Sequence, residues 1–402
     1  MRCGLVMRIL VVNTGSSSVQ LQLVVTGAAH ASADDAKVEL AAKVESLKGD
    51  AHLVVDGKRR PAKARQHAEG AREILDTLGE SLREVHAVVH RLVHGGARYR
   101  EPVRIDEEVM AAIRDLETLA PLHNRVAREV IEALRERLPD VPHVAVFDTS
   151  FHARLPEQAF TYAIAPELAR AYGIRRYGFH GTAYRYMANR YADIRENGSS
   201  RPAKVVAVHL GGGCSVAAID GDHSVETSMG MTPLEGLVMG TRAGDIDPGI
   251  IELLATRENK SAAEVVDLLN RAGGLKALSG LTEDTRVLVE EMATNPRAAL
   301  ALEVFCHRIV KYVGAYLAVL DGAEALLLGG VINENTPWVR ERVCRQFAWC
   351  GLELDAGRNA DTIDREGRIS TDTSRLHAWV IPAREDLQLA FEAACLIEGT
   401  RT

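Results

Sequence analysis

Residues 9–23 read ILVVNTGSSSVQLQL, an apolar run broken by a tight Gly/Ser turn, and residues 205–219 read VVAVHLGGGCSVAAI, the same design again. A strand, a small-residue turn and a second strand, occurring twice, imply a duplicated fold. Gly and Ser let backbone N–H groups and hydroxyls approach an anion closely, which larger side chains prevent. One such hairpin is ordinary turn chemistry. Two of them imply a chain that holds phosphate between similar halves.

A chain of 402 residues is long enough for two or three domains, and its apolar and charged shares, 47% and 26%, are those of an ordinary soluble globular protein. The net charge of −7 argues against a general nucleic-acid binder while leaving room for local positive clefts. Arg91, Arg98 and Arg100, near His90 and His94, are the expected parts of one such cleft. Cys3, Cys214, Cys306, Cys344, Cys350 and Cys395 have no paired metal-ligand spacing, so neither a zinc site nor a disulfide framework is expected, and the cytoplasm is the expected compartment. The opening MRCGLVMRILVV passes straight into Asn13 without a cleavage-type end and reads as the first strand. Asp321 and Glu324 interrupt the apolar stretch 312–331, and no segment is expected to span a membrane.

Alternation at 38–44 and 51–55, around the Asp56-Gly57 turn, reads as the meander of a mixed sheet. Apolar spacing predicts helices at 66–82, 107–116, 124–138, 183–194, 261–271, 285–292 and 296–319, with a terminal helix from Glu385. Buried strands are expected at 85–89, ending at His90-Arg91, at 144–147, ending in Asp148, at 325–328, feeding Gly329-Gly330, and at 378–381. Candidate functional residues then fall just past strand ends, where α/β sheets place their ligands. The Ala/Asp-rich stretch 28–35 is polar, and 196–202 reads as a loop within the second half.

Five segments, NTGSSS (13–18), HRLVHGG (90–96), VFDTSFH (146–152), YGFHGT (177–182) and TPLEGLVMGTRAGDIDP (232–248), together resemble the acetate kinase family of the acetate and sugar kinase/actin superfamily. LAPLHN (119–124), HLGGG (209–213) and SGLTEDTR (279–286) extend the similarity over nearly the whole chain. The family pattern starts near Met7, which makes residues 1–6 an upstream start or a short extension. The resemblance implies an α/β, duplicated ribonuclease H-like (actin-like ATPase) fold in two domains with a central cleft. Residues 1–150 and the C-terminal helix 385–402 would form the N-terminal domain, and 151–384 the nucleotide-binding domain. It further implies a homodimer that transfers phosphoryl reversibly between ATP and acetate, giving ADP and acetyl phosphate with Mg²⁺, and domain closure that excludes water.

The site residues follow from the same resemblance. Arg91 and Arg242 would clamp the substrate carboxylate and the transferring phosphoryl group, their planar forks suiting both. His180 would donate to the phosphoryl oxygens, with His123 in support. Asp148 and Glu385, beside Asn13, would hold Mg²⁺, partly through water; as the lesser reading, Glu385 suits a helix N-terminus as a dipole partner. Val93, Leu122, Phe179 and Pro233 match the pocket for the acetate methyl. His209, Gly211, Gly212 and Gly213 would lie along the nucleotide phosphates, Asp284, Thr285 and Arg286 near the adenosine, and Gly330, Val331, Ile332, Asn333 and Asn335 around base and ribose. Ser16, Ser18 and Gln20 belong to the first hairpin, near the transferring phosphate.

These residue types suit that chemistry on their own terms. A carboxylate nucleophile is ionised above about pH 5 and needs no general base. The difficulty is charge, since an anion must approach a polyanion, and arginines, a cation and hydrogen-bond donors answer it.

Four departures from the family pattern stand out. Gln20 occupies a usual Lys position, Gly212 a usual Asn, Val331 and Asn333 usual glycines, and Tyr184 a usual His. The first two remove phosphate contacts and the third narrows the adenine site, so pyrophosphate or a different nucleotide could replace ATP as donor. The same residues also admit a kinase for propionate or butyrate, and a non-catalytic nucleotide-binding regulator built on the same fold. One methylene shifts selectivity by only about 1–3 kcal/mol, so acetate and propionate are not separated by sequence.

Overall fold

The computed structural model describes residues 6–15, 17–27, 33–47, 49–118, 123–195 and 202–399. Ser16, Leu122 with the rest of 119–122, most of the polar stretch 28–35 and the loop residues 196–201 lie outside the described residues. The chain divides into two compact units, Met1–Ala153 with Arg384–Thr402, and Arg154–Ala383.

In the first unit the opening hairpin is β1 (Arg8–Thr14) and β2 (Val19–Val25), antiparallel with Val12 opposite Leu21. The strands β3 (Lys37–Glu45), β4 (His52–Val55) and β5 (Lys58–Pro61) continue the meander. On the other side of β1 come β6 (Ala87–Leu92), β7 (Val103–Arg104) and β8 (His143–Phe147), giving the order β5-β4-β3-β2-β1-β6-β8-β7. Ile9, Leu10, Val11 and Val12 are all buried, as they must be in a strand covered on both faces. Helices His67–Leu78 and Asn124–Arg137 share a core with Leu10, Val12, Leu21 and Val44, while helix Glu385–Glu398 packs against β1, β2 and β6. Gly70 allows the close approach on the first side, since a Cβ there would sit 2.8 Å from Val19 Cγ1.

The second unit carries the second hairpin, β9 (Lys204–Leu210) with β10 (Cys214–Asp220). Adding β11 (His223–Thr227), β12 (Ala325–Gly329), β13 (Gly367–Arg368) and β14 (His377–Val380) gives the order β11-β10-β9-β12-β14-β13. Strand for strand this repeats β3-β2-β1-β6-β8-β7, with two antiparallel pairings, two parallel and one antiparallel in both sheets. The duplication is therefore one of topology as well as of hairpin sequence, the arrangement of an actin-like ATPase fold. Helix Gly181–Ile194 packs on β9 and β12, and helix Pro296–Val319 on β10 and β9. Asn295 caps the latter by accepting from the Arg297 and Ala298 amides, with Pro296 at its first position. Among the described residues no helix is long and apolar enough to cross a membrane.

Two local expectations change. β6 runs on to Leu92 because Arg91 and Leu92 stay in register with Val146 and Phe147 of β8, so Arg91 sits within the strand and not past its end. The expected positive cleft is also not assembled as a group: Arg98 pairs with Glu108 on the surface, and His90 turns inward against His143. The two imidazoles stack at 5.2 Å, with His90 Nε2 and His143 Nδ1 2.9 Å apart. His143 Nε2 donates to the Leu138 carbonyl at 3.3 Å, which leaves its Nδ1 to accept the proton of His90.

Burial pushes His143 down to about 4 and His90 well below its ordinary value. The unfolded imidazoles titrate near about pH 6.5, so this pair's contribution is whole above that pH and drains away as the pH falls toward 4. The urea midpoint is expected to decline between pH 7.5 and 5, less steeply in His143→Gln. Equal slopes in the two proteins would remove the pair from the acid sensitivity.

Candidate active site

Parallel pairing brings the carboxyl ends of β1, β6 and β8 side by side, and with them Asn13, Arg91 and Asp148. Arg91 forks the carboxylate, Nε to Asp148 Oδ1 at 2.9 Å and Nη2 to Oδ2 at 2.6 Å, and its Nη1 donates to Asn13 Oδ1 at 3.2 Å. Glu385, the first residue of its helix, places Oε2 3.7 Å from Arg91 Nε. The Asp148 side chain is 2% exposed and that of Arg91 16%. Burial opposes the Arg91 charge, and Asp148 and Glu385 outweigh it, holding the guanidinium above its ordinary range. Among the described residues, three of its five N–H donors are spent in these bonds, which leaves one on each terminal nitrogen for a ligand.

The hairpin turn beside this cluster is pinned by the Gly15 amide on Ser18 O at 2.9 Å and by His67 Nε2 on Gly15 O at 3.0 Å. Ser18 and Gln20 are half-buried, and Gln20 pairs with Asn13 across the hairpin. Two residues outside the expected site fix the HRLVHGG turn. Asn124 bonds both the amide and the carbonyl of His94, at 3.3 and 2.8 Å, and Thr149 Oγ1 accepts from the Gly95 amide at 3.0 Å. Their signal was their place inside two of the quoted motifs. Val93 and His123 are half-buried, His123 just ahead of helix Asn124–Arg137.

Asp148, Glu385 and Asn13 are oxygen donors of the kind a hard cation takes. Both Asp148 oxygens already accept from Arg91, and among the described residues no three His, Cys, Asp or Glu side chains form a metal cage. The set therefore fits a magnesium ion that keeps its waters better than one stripped of them.

In the second unit the cluster forms around the β9–β10 turn. His180, at φ 58° and ψ 25°, precedes helix Gly181–Ile194 and places Nδ1 2.8 Å from Ser215 Oγ. Its ring lies 4.5 Å from that of His209. A Cβ on Gly213 would stand 3.0 Å from His180 Nε2 and 3.3 Å from Arg242 Nη1, so both groups flank this glycine. The Gly211 amide bonds Gly213 O at 2.9 Å, and Gly212 faces open space, with nothing within 4 Å of an added Cβ.

Arg242 is half-buried and its nearest bonds are neutral, Nη1 to Pro233 O at 3.3 Å and to Met239 Sδ at 3.6 Å. Burial lowers its proton affinity, and among the described residues no carboxylate forms an ion pair with it. The loop that carries it has no regular secondary structure and is held by its own groups and by neighbouring helices. Asp245 accepts from the Gly236 amide at 2.8 Å and from Tyr312 Oη at 2.7 Å, and Gly244, at φ 72°, packs where a Cβ would meet Leu237 O at 2.4 Å. Pro233 is half-buried and Phe179 buried.

The expected base and ribose segment is a short helix, Val331–Asn335, entered through Gly330. Gly330, at φ 87°, lies so near β9 that a Cβ would be 2.5 Å from Leu210 O. Asn333 is buried and spends its amide on Val208 O and Gly329 O, both at 3.0 Å, so it braces the strands. Val331 is 60% exposed, Ile332 is half-buried, and Asn335 donates to Val331 O at 3.1 Å. Asp284 caps helix Thr285–Glu291 and pairs with Arg286 at 2.7 Å, while Thr285 Oγ1 meets Thr336 Oγ1 at 3.1 Å.

Of the sequence candidates, Asn13, Arg91, Asp148 and Glu385 meet in the first unit and His180, His209, Gly213 and Arg242 in the second, with Asn333 turned away into the sheet. Residues 8–391 match the family described as Acetokinase family. The chain is 43% identical over 410 residues to an acetate kinase of Solibacter usitatus (strain Ellin6076), covering 98% of this chain and 99% of that one. Among solved structures, the Porphyromonas gingivalis acetate kinase aligns with TM-score 0.88 at 34% identity, covering 98% of this chain and 100% of that one. A propionate kinase from Francisella tularensis subsp. tularensis SCHU S4 aligns equally, with TM-score 0.88 and 33% identity over 96% and 98%. With the family match running through both hairpins and the identity sustained along nearly the full length, this chain belongs to the acetokinase family.

Proposed function

We propose that this chain transfers the γ-phosphoryl group of ATP to acetate, reversibly, giving acetyl phosphate and ADP. Membership of the acetokinase family supports the reaction. The structural observation that carries it is Arg242, a half-buried guanidinium beside His180 with no carboxylate partner among the described residues. A cation kept without a protein counterion is a place prepared for an anion.

In this reading the acetate oxygen attacks phosphorus as the bond to the ADP oxygen breaks, in line and without a base. Arg242 neutralises charge on the transferring group, and His180 donates to its oxygens from Nε2. Arg91, with donors left on both terminal nitrogens, holds the acetate carboxylate. The hairpin amides and His209 align the nucleotide phosphates, and the 284–286 and 330–335 segments take the nucleoside, with Asn333 bracing them from beneath. Asp148, Glu385 and Asn13 would hold Mg²⁺ through its water shell, and the ion supplies further charge neutralisation.

Trapping acyl phosphate as the hydroxamate tests the proposal directly. Acetate with ATP and Mg²⁺ is expected to give product, and ATP is expected to exceed GTP and pyrophosphate. Folded protein that yields no acyl phosphate from acetate, propionate or butyrate with any donor would overturn it. The equal fit of the Francisella propionate kinase favours a second reading, in which propionate is the better acceptor; the ratio of kcat/KM for the two acids decides.

A further inference from the structure

His180 is held in the left-handed backbone region, at φ 58°, a conformation that is strained for a non-glycine residue and persists where its surroundings dictate it. What surrounds its imidazole is unusual. Nδ1 lies 2.8 Å from Ser215 Oγ, and one helical turn further on Tyr184 brings its phenol to the same Ser215 oxygen. Both Tyr184 and Ser215 are fully buried. Ser215 lies opposite His209 in the β9–β10 hairpin.

We propose that Tyr184 and Ser215 form an ordered proton relay that holds His180 as its neutral Nε2–H tautomer, with that N–H directed at the Gly213 turn. Tyr184 is then a positioning residue for phosphoryl transfer. The proposal rests on the role given to His180 above.

The direction of the relay follows from donor strength. Burial raises the phenol far above its ordinary range, so it keeps its proton, and a buried O–H must place that proton on an acceptor. A phenol is the stronger acid and so a better donor than an aliphatic hydroxyl, and in the proposed relay it donates to Ser215 Oγ. Ser215 has one proton, which then goes to His180 Nδ1. An imidazole that accepts at Nδ1 carries its own proton at Nε2, the atom facing Gly213. Neutrality also suits the site. Arg242 Nη1 flanks the same glycine, and a second positive charge beside it would be repelled, whereas a neutral N–H adds a hydrogen bond without that cost.

The test uses the full chain with ¹⁵N-labelled histidine. His180 is identified by its loss in His180→Gln, and its two ring nitrogens are read in long-range ¹H–¹⁵N spectra. A protonated Nε2 with a bare Nδ1 is expected in the parent protein, and a mixture of tautomers in Tyr184→Phe and in Ser215→Ala. In kinetics, each single variant is expected to lose roughly 10- to 100-fold in kcat, as a misdirected catalytic group does, with KM for acetate and ATP within about twofold. Because both hydroxyls act through one imidazole, the double variant should be no slower than the slower single. Tyr184→Phe keeps the ring and its packing; thermal unfolding checks that it folds. A parent His180 protonated at Nδ1 would overturn the proposal, and so would an unchanged kcat in a folded Tyr184→Phe protein. If the parent forms no acyl phosphate at all, the reaction proposed above is what fails, and the spectra still decide the relay.

Discussion

Arg242→Ala is expected to lower turnover by roughly 10³-fold or more, the scale on which phosphoryl-clamping arginines act, while leaving the unfolding midpoint where it is. The combination is informative because the two effects have different origins. Among the described residues, Arg242 bonds only a carbonyl at 3.3 Å and a thioether at 3.6 Å, and burial already works against its charge. The fold therefore loses little when the guanidinium goes, whereas the transition state loses its cation. Arg242→Lys restores a point charge but not the fork, and should recover only part of the rate. Acyl phosphate formation at saturating substrates, with a thermal melt on the same samples, measures both. An unchanged rate would take Arg242 out of the site.

Arg91→Ala is expected to behave in the opposite way, losing activity and stability together. Asp148 is 2% exposed and both of its oxygens are held by Arg91. Removing one partner of a buried pair strands the other charge, at a cost of about 3–5 kcal/mol. Adding Asp148→Asn in the same chain removes the stranded charge, so the double variant should regain much of the stability and none of the turnover. Urea unfolding of the two single variants and the double isolates the coupling. An Arg91→Ala protein as stable as its parent would show that the pair does not bear on the fold, and that Asp148 is solvated in a way its burial contradicts.

Much of this molecule could be read locally. The two hairpins follow from apolar runs interrupted by Gly and Ser, and the long helix Pro296–Val319 from its Asn295 cap, its leading proline and its periodicity. Such features are set by neighbours a few residues apart, and short-range sterics and hydrogen bonding suffice to specify them. Motif resemblance added the names of Arg91, Asp148, His180 and Arg242, without saying what each touches.

The partnerships came from the sheet. Asn13, Arg91 and Asp148 meet because β1, β6 and β8 are parallel neighbours, joined by long crossovers that no local pattern encodes. The same register carries β6 past His90, turns His90 onto His143 and keeps Arg91 inside the strand. Asn333 looked like a ligand group beside a glycine turn, and the tight approach of Gly330 to β9 instead turns its amide onto strand carbonyls. Tyr184 appeared in the sequence only as a departure from pattern; packing of its helix on β9 places its hydroxyl on Ser215. Sequence alone determined the repeated hairpins, the span of the long helix Pro296–Val319 and the identity of the charged residues, because those depend on adjacent chain. Tertiary structure decided which charges are paired, which are left without a counterion and which polar groups are spent on the backbone. Those outcomes depend on strand order and burial, and both are properties of the whole chain.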